Sequence, residues 1–207
     1  MDKLPRRSYV ERYRVRATRP VSEQGSSARG VRPLEGSHMI AFLRKFTGDG
    51  AQLPPPATSK AVALAWLGGF LAIASVAVLA DIFSLALVLG SFGASCVLVF
   101  GYADVPFSQP RNVIAGHVIS SMVGLAFLTA FGPHWWAMAL AVGTAIALMM
   151  LTRTVHPPAG SNPVIVFLTH PTWGFLLFPT LAGALVLVAV GLVYNNATRE
   201  ARYPKYW

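Results

Sequence analysis

The stretch of the chain richest in chemistry is Arg153-Thr154-Val155-His156-Pro157-Pro158-Ala159-Gly160-Ser161-Asn162-Pro163. Pro157 and Pro158 must end any helix before them, because a proline pushes its preceding residue out of the α region. A proline also suits the first turn of a new helix. Gly160 allows close backbone approach, and Ser161 and Asn162 are good N-cap types. Such a segment can aim backbone N–H groups and a hydroxyl at an anion. Elsewhere stand Arg111, Asn112 and His117. Arg111 either pairs an anion or snorkels to a membrane interface. His117 lies about 9 Å further along the same helix. There it either carries a proton or sits neutral in a bond across helices. Ser121, one turn on, is its expected partner. Arg153 and His156, three apart, read as one face of a helix end, and His134 and His170 fall at loop edges. His117, His156 and His170 lack any paired metal spacing, and no carboxylate cluster or nucleophile–base pair appears. The expectation is therefore no metal, no cofactor and no enzymatic chemistry.

These residues must be positioned inside lipid. The chain is 54% hydrophobic and 12% charged, against about 25% charged in soluble domains. Residues 61–198 hold only Asp81, Asp104, Arg111 and Arg153 as charges. A soluble surface cannot be so poor in charge, so the solvent there is lipid. The net charge of +9 comes mostly from residues 1–60, with twelve Lys/Arg against five Asp/Glu. Beside a membrane span, a basic tail reads as a positive-inside signal and an attraction to anionic lipid. No aromatic-basic module for nucleic acid is visible, so none is expected as a partner. The single cysteine, Cys96, excludes an intrachain disulfide.

Residues 1–38 are polar, basic and without periodicity, and they read as a disordered tail. Gly36-Ser37-His38-Met39 has the look of a cloning remnant, with Met39 as an alternative start. Residues 39–60 read as an interfacial helix, with Met39, Phe42, Leu43 and Phe46 on one face. Gly48-Asp49-Gly50 and Pro54-Pro55-Pro56 then form a stiff linker. Residues 61–198 read as an all-α polytopic transmembrane bundle of six segments. These are about Ala61–Ala80, Ile82–Tyr102 after a turn at Asp81, Arg111–Phe131, Trp135–Thr152, the short proline-broken Pro157–Thr169, and Thr172–Tyr194. Residues 199–207 read as a basic, aromatic cytoplasmic tail. The small-residue stripes Ala61/Ala65/Gly69, Gly116/Ser120/Gly124 and Ala139/Gly143/Ala147 suit close helix packing in lipid.

A shift of 67 positions aligns the two halves: Gly93 with Gly160, Val99 and Phe100 with Val166 and Phe167, Gly116 with Gly183, and Val123-Gly124-Leu125 with Val190-Gly191-Leu192. Three crossings per half make the second half inverted. Inverted repeats place a solute site near the midplane on discontinuous helices, here the proline-broken segment and its repeat partner around Gly93 and Ser95.

His156-Pro157-Pro158-Ala159-Gly160 resembles the signature of the HPP family of integral membrane proteins. Gln109-Pro110-Arg111-Asn112, with Gly116-His117 and Ser120, is similar to that family's second recurring element. The resemblance covers about residues 40–195. It departs at Ser161-Asn162-Pro163, where members more usually show small residues and threonine. It implies a membrane transporter. Some members are linked to nitrite transport in plastids and cyanobacteria, which implies a small inorganic anion as substrate.

The expected substrate-binding set is His156, Pro157, Pro158, Gly160, Ser161 and Asn162, with Gly93 and Ser95, and with Arg111, Asn112 and His117. The competing expectation is a non-transporting membrane scaffold or subunit. Membrane lipid is the expected partner, with a homo-oligomer open. If all six segments cross, the basic residues put both termini in the cytoplasm, in a bacterial inner membrane.

Overall fold

The computed structural model describes residues 39, 40, 42, 43, 45–47, 53–84, 86 and 89–207. The tail 1–38 and the Gly48-Asp49-Gly50 turn lie outside the described residues. The chain falls into two units, 1–54 and 55–207. In the first, Met39, Ile40, Phe42 and Leu43 are helical and Lys45–Thr47 is a 3-10 turn. Their apolar side chains are exposed, and the Phe42 and Phe46 rings meet edge to face at 5.3 Å.

In the second unit every element among the described residues is helical. Helix α1, Ser59–Phe83, starts where the Thr58 hydroxyl accepts the Ala61 N–H at 3.2 Å. It ends at Ser84, which is left-handed with φ 52°. Helix α2, Ser91–Cys96, continues as a wider π turn, Val97–Gly101. Helix α3, Pro110–Phe131, opens on a proline, whose missing N–H costs nothing in a first turn. It closes at Gly132, whose φ of 76° suits glycine. Helix α4 is Trp135–Leu151. A 3-10 turn, Pro157–Ser161, leads into α5, Asn162–Thr169. The chain then runs through a 3-10 turn, Trp173–Leu176, and a π turn, Leu177–Leu181. Extended Phe178 breaks the helical path there, as a residue before proline tends to. Helix α6, Ala182–Thr198, completes the bundle.

Polarity is arranged as lipid demands. Large apolar side chains face outward, among them Leu151, Leu168 and Val193 at 79%, 75% and 74% exposure. Ser95, His117, Ser120, His156, Asn162 and Thr180 are fully buried. The segments Ser59–Phe83, Pro110–Phe131 and Trp173–Thr198 are long and apolar enough to cross a membrane. The six-segment helical membrane bundle is therefore as the sequence predicts.

The repeat is legible in the packing. Buried Ser91, Phe92, Ser95, Cys96, Val99 and Phe100 stand, 67 positions on, against buried Pro158, Ala159, Asn162, Pro163, Val166 and Phe167. Contacts also exchange between the halves. A Cβ on Gly124 of α3 would meet Val166 Cβ at 3.3 Å, and one on Gly191 of α6 would meet Val99 Cγ1 at 2.8 Å. Gly191 and Val99 are the repeat equivalents of Gly124 and Val166. Partner exchange of this kind is what a twofold relation between two three-helix halves produces.

Some boundaries and faces differ from expectation. Asp81 lies inside α1, not at a turn, and among the described residues the next helix begins at Ser91. Both middle helices are thus short, and Gly90-Ser91 at that boundary is a weak break in an otherwise apolar run. Arg153 and His156 do not share a helix face. Helix α4 stops at Leu151, Arg153 is left-handed with φ 57°, and His156 is extended. Of the three stripes only Gly116/Ser120/Gly124 is buried. The buried faces of α1 and α4 are Gly68/Ala72/Val76 and Ala137/Ala141/Ala145. Helices apolar all round give hydropathy no face to choose.

Candidate functional site

His156 sits between α4 and the Pro157–Ser161 turn, buried against α3. A Cβ on Gly116 would lie 2.7 Å from the His156 Cβ, so glycine there lets the turn approach α3. The hydroxyl of Ser120, one turn on, donates to the Ala159 carbonyl at 2.6 Å. Together these hold the broken segment along α3 and aim His156 inward.

The geometry of the hydrogen bonds assigns each proton. His156 Nδ1 is 2.7 Å from the Phe107 carbonyl, which can only accept, so Nδ1 carries the hydrogen. Its Nε2 is then bare and accepts the Ser95 hydroxyl at 2.8 Å. The Ser95 oxygen in turn accepts from His117 Nε2–H at 3.1 Å. His117 Nδ1 is left bare and accepts an Asn162 Nδ2 hydrogen at 3.1 Å. Asn162 Nδ2 also donates to Ser121 Oγ at 2.9 Å, and Asn162 Oδ1 accepts the Ser91 hydroxyl at 2.8 Å. Ser121 and Thr180 Oγ1 lie 3.0 Å apart and close the chain. The two imidazole rings stand 5.0 Å apart, with Phe92 edge-on to His117 at 5.1 Å. With protons so assigned, the cluster is a neutral, fully paired chain of side chains. Among the described residues the one buried side-chain polar atom without a partner is Arg199 Nη1, outside it.

Of the expected set, Ser95, His117, His156 and Asn162 come together. Asn112 lies beside them and donates to the Val155 carbonyl at 2.9 Å, fixing the extended backbone that carries His156. Arg111 does not reach the cluster. It is exposed and donates to the Thr152 carbonyl at 3.2 Å, capping the C-terminal end of α4. Pro158 is buried in the turn, while Pro157 and Ser161 are exposed. The Ser161 hydroxyl donates back to Pro158 at 2.8 Å. Gly160 and Gly93 have open space where a Cβ would stand. Backbone donors of the turn are largely used internally: Ala159 N–H meets the His156 carbonyl at 2.9 Å, and Asn162 N–H meets Ala159. Ser121 bonds Asn162 and Thr180 instead of His117. His170 is exposed at the end of α5.

Ser91, Thr180 and the Phe107 carbonyl are the members that sequence reasoning missed. Ser91 was findable, since it stands four residues before Ser95 on one helix face. A loop carbonyl leaves no trace in a side-chain pattern.

The Phe107 loop has its own restraint. Tyr203 is buried and its hydroxyl donates to the Ser108 carbonyl at 2.7 Å. Lys205 N–H donates to Gln109 Oε1 at 2.7 Å, and Asp104 pairs with both Arg199 and Lys205. The segment after α6 therefore straps the loop from which His156 takes its partner.

Residues 54–204 match the family profile described as the HPP transmembrane region. Two transmembrane proteins of Dictyostelium discoideum are similar. One is 34% identical over 183 residues, covering 82% of this chain and 64% of its own length. The other is 34% identical over 186 residues, covering 82% and 58%. The chain thus spans about three fifths of the length of these curated relatives. No solved structure matches it. With the family profile laid over most of the chain, and with His156 of the His156-Pro157-Pro158 run inside the buried cluster, this protein belongs to the HPP family of integral membrane proteins.

Proposed function

We propose that the protein is a membrane transporter of a small inorganic anion, with nitrite the first candidate, and that the anion passes between α2 and the 157–169 segment. The observation that supports this best is Ser95 bonded to both His117 and His156 where the two short helices of the repeat meet. Ionisable side chains deep in a membrane are costly and mark solute or proton paths. Side-chain N–H and O–H donors at that junction suit an anion that has shed its water. In this reading no bond is made or broken, and the protein is not an enzyme. Both termini face the cytoplasm of a bacterial inner membrane, as the basic residues outside the spans favour.

Uptake of labelled nitrite into proteoliposomes, with and without a pH gradient, tests the proposal. Saturable uptake is expected, falling at least tenfold in His156→Ala. Arg111→Gln is expected to keep most of the flux, since Arg111 caps α4. No flux above empty liposomes for nitrite, nitrate, bicarbonate or chloride would end the transport reading. One observation favours a second reading, a non-transporting membrane scaffold: every donor in the cluster already has a partner, as in a purely structural network. A stoichiometric partner that co-purifies with a flux-dead protein would support it.

A further inference from the structure

We propose that the cluster is built to take up one proton and no more, that the proton lands on His156 Nε2, and that Ser95 is the switch that accommodates it. The inference deepens the transport reading, because one proton offsets the charge of one anion, but it stands on the hydrogen-bond geometry.

In the resting arrangement the Ser95 hydroxyl donates to His156 Nε2 and its oxygen accepts from His117 Nε2–H. A proton arriving on His156 Nε2 turns that nitrogen into a donor. The Ser95 oxygen has two lone pairs and can accept from both rings at once. Its own hydrogen must then find another acceptor. The Ser91 carbonyl already lies 3.2 Å from the Ser95 oxygen, so the hydrogen reaches it by rotation about the Cβ–Oγ bond alone. After the switch His156 Nδ1–H still meets Phe107 and no donor is orphaned. The net change is one proton bound and one hydroxyl turned.

A second proton has no such place. The one remaining bare nitrogen, His117 Nδ1, faces the Asn162 amide hydrogens. Protonating it would set donor against donor. Asn162 cannot turn its oxygen there without setting it against the His117 backbone carbonyl, to which Nδ2 now donates at 3.3 Å, and giving up the Ser91 hydroxyl held at 2.8 Å. The other titratable or charged groups on the packed elements are committed elsewhere. Cys96 lies in the apolar core, Asp104 pairs with Arg199 and Lys205, Arg111 bonds the Thr152 carbonyl, and Arg153 is exposed.

The test is ring-nitrogen NMR of the full chain, labelled with 15N-histidine, in lipid nanodiscs between about pH 4 and about pH 9. His117→Gln and His156→Gln assign the signals. The expected result is a single uptake in the pair: His156 becomes doubly protonated while His117 keeps one bare nitrogen throughout. Ser95→Ala, which removes the shared acceptor, is expected to leave His156 neutral at the pH of half-protonation in the unaltered protein. Ser95→Thr, which restores a hydroxyl, is expected to recover the uptake. Both rings doubly protonated, uptake on His117 alone, or bare nitrogens on both across the range would each overturn the proposal. Nitrite flux is read separately, so a flux-dead protein with the single uptake intact would count against transport alone.

Discussion

At the scale of the residue, the cluster sets a strict order of importance among side chains that look alike in sequence. Asn162 and Ser161 are neighbours and both polar. Asn162 joins Ser91, His117 and Ser121, whereas Ser161 only folds back on Pro158. Hydrogen bonds between helices in lipid average about 0.6 kcal/mol. Losing three at once in Asn162→Ala should cost about 2 kcal/mol, read as a lower unfolding midpoint in mixed micelles. Ser161→Ala should stay within about 0.5 kcal/mol of the unaltered protein. Equal effects would mean that the network contributes little. The residue types were legible in the sequence: histidine beside prolines, and a serine at the repeat position of Asn162. Their pairing was not. His117 was expected to find Ser121 by helical spacing, but Asn162 arrives from another element and takes both.

At the scale of the element, glycine decides how closely helices meet, and only at particular places. A Cβ on Gly124 would stand 2.8 Å from the Pro163 Cα, which is backbone and cannot swing away. Gly143, also in a small-residue stripe, has nothing within 4 Å. Gly124→Ala should therefore destabilise by about 1–3 kcal/mol by forcing α3 and α5 apart, and should lower any flux with it. Gly143→Ala should be neutral or slightly stabilising, because alanine is the better helix former. Thermal unfolding of the two variants side by side checks this, and a Gly124→Ala midpoint equal to that of Gly143→Ala would refute it. Segment number and the 67-residue register were readable because turn residues and repeated glycines mark them. The inward face of α1 and α4 was not, because alanine, leucine and valine surround both helices. The start of α2 was marked only by the weak break at Gly90-Ser91.

At the scale of the whole molecule, the strap after α6 ties the end of the chain to the loop before α3. Burial pushes the Tyr203 phenol above its ordinary range, with Arg199 pulling weakly the other way. Its folded form thus holds the proton after the unfolded form has lost it. Stability from Tyr203 is present below about pH 10 and is lost as pH rises beyond that. Tyr203→Phe should cost about 1 kcal/mol at neutral pH through the lost bond to Ser108. It should also flatten the alkaline fall in stability. An alkaline slope unchanged by Tyr203→Phe would assign that slope to other groups. The tail's basic and aromatic character was plain in the sequence, but its docking was not, since its partners Ser108 and Gln109 lie 95 and 96 residues earlier in the chain.

The two halves share a repeat register and differ in chemistry. Where the second half offers Leu187, Val188 and Ala184, the first has Ser120, Ser121 and His117, and Leu89 answers His156. Swapping the postures of the halves would ask oily side chains to do what hydroxyls and imidazoles do now. Two arrangements of the halves exchanged in this way cannot be of equal energy. The arrangement described here is the one in which the buried hydroxyls, imidazoles and amide of the cluster all find partners.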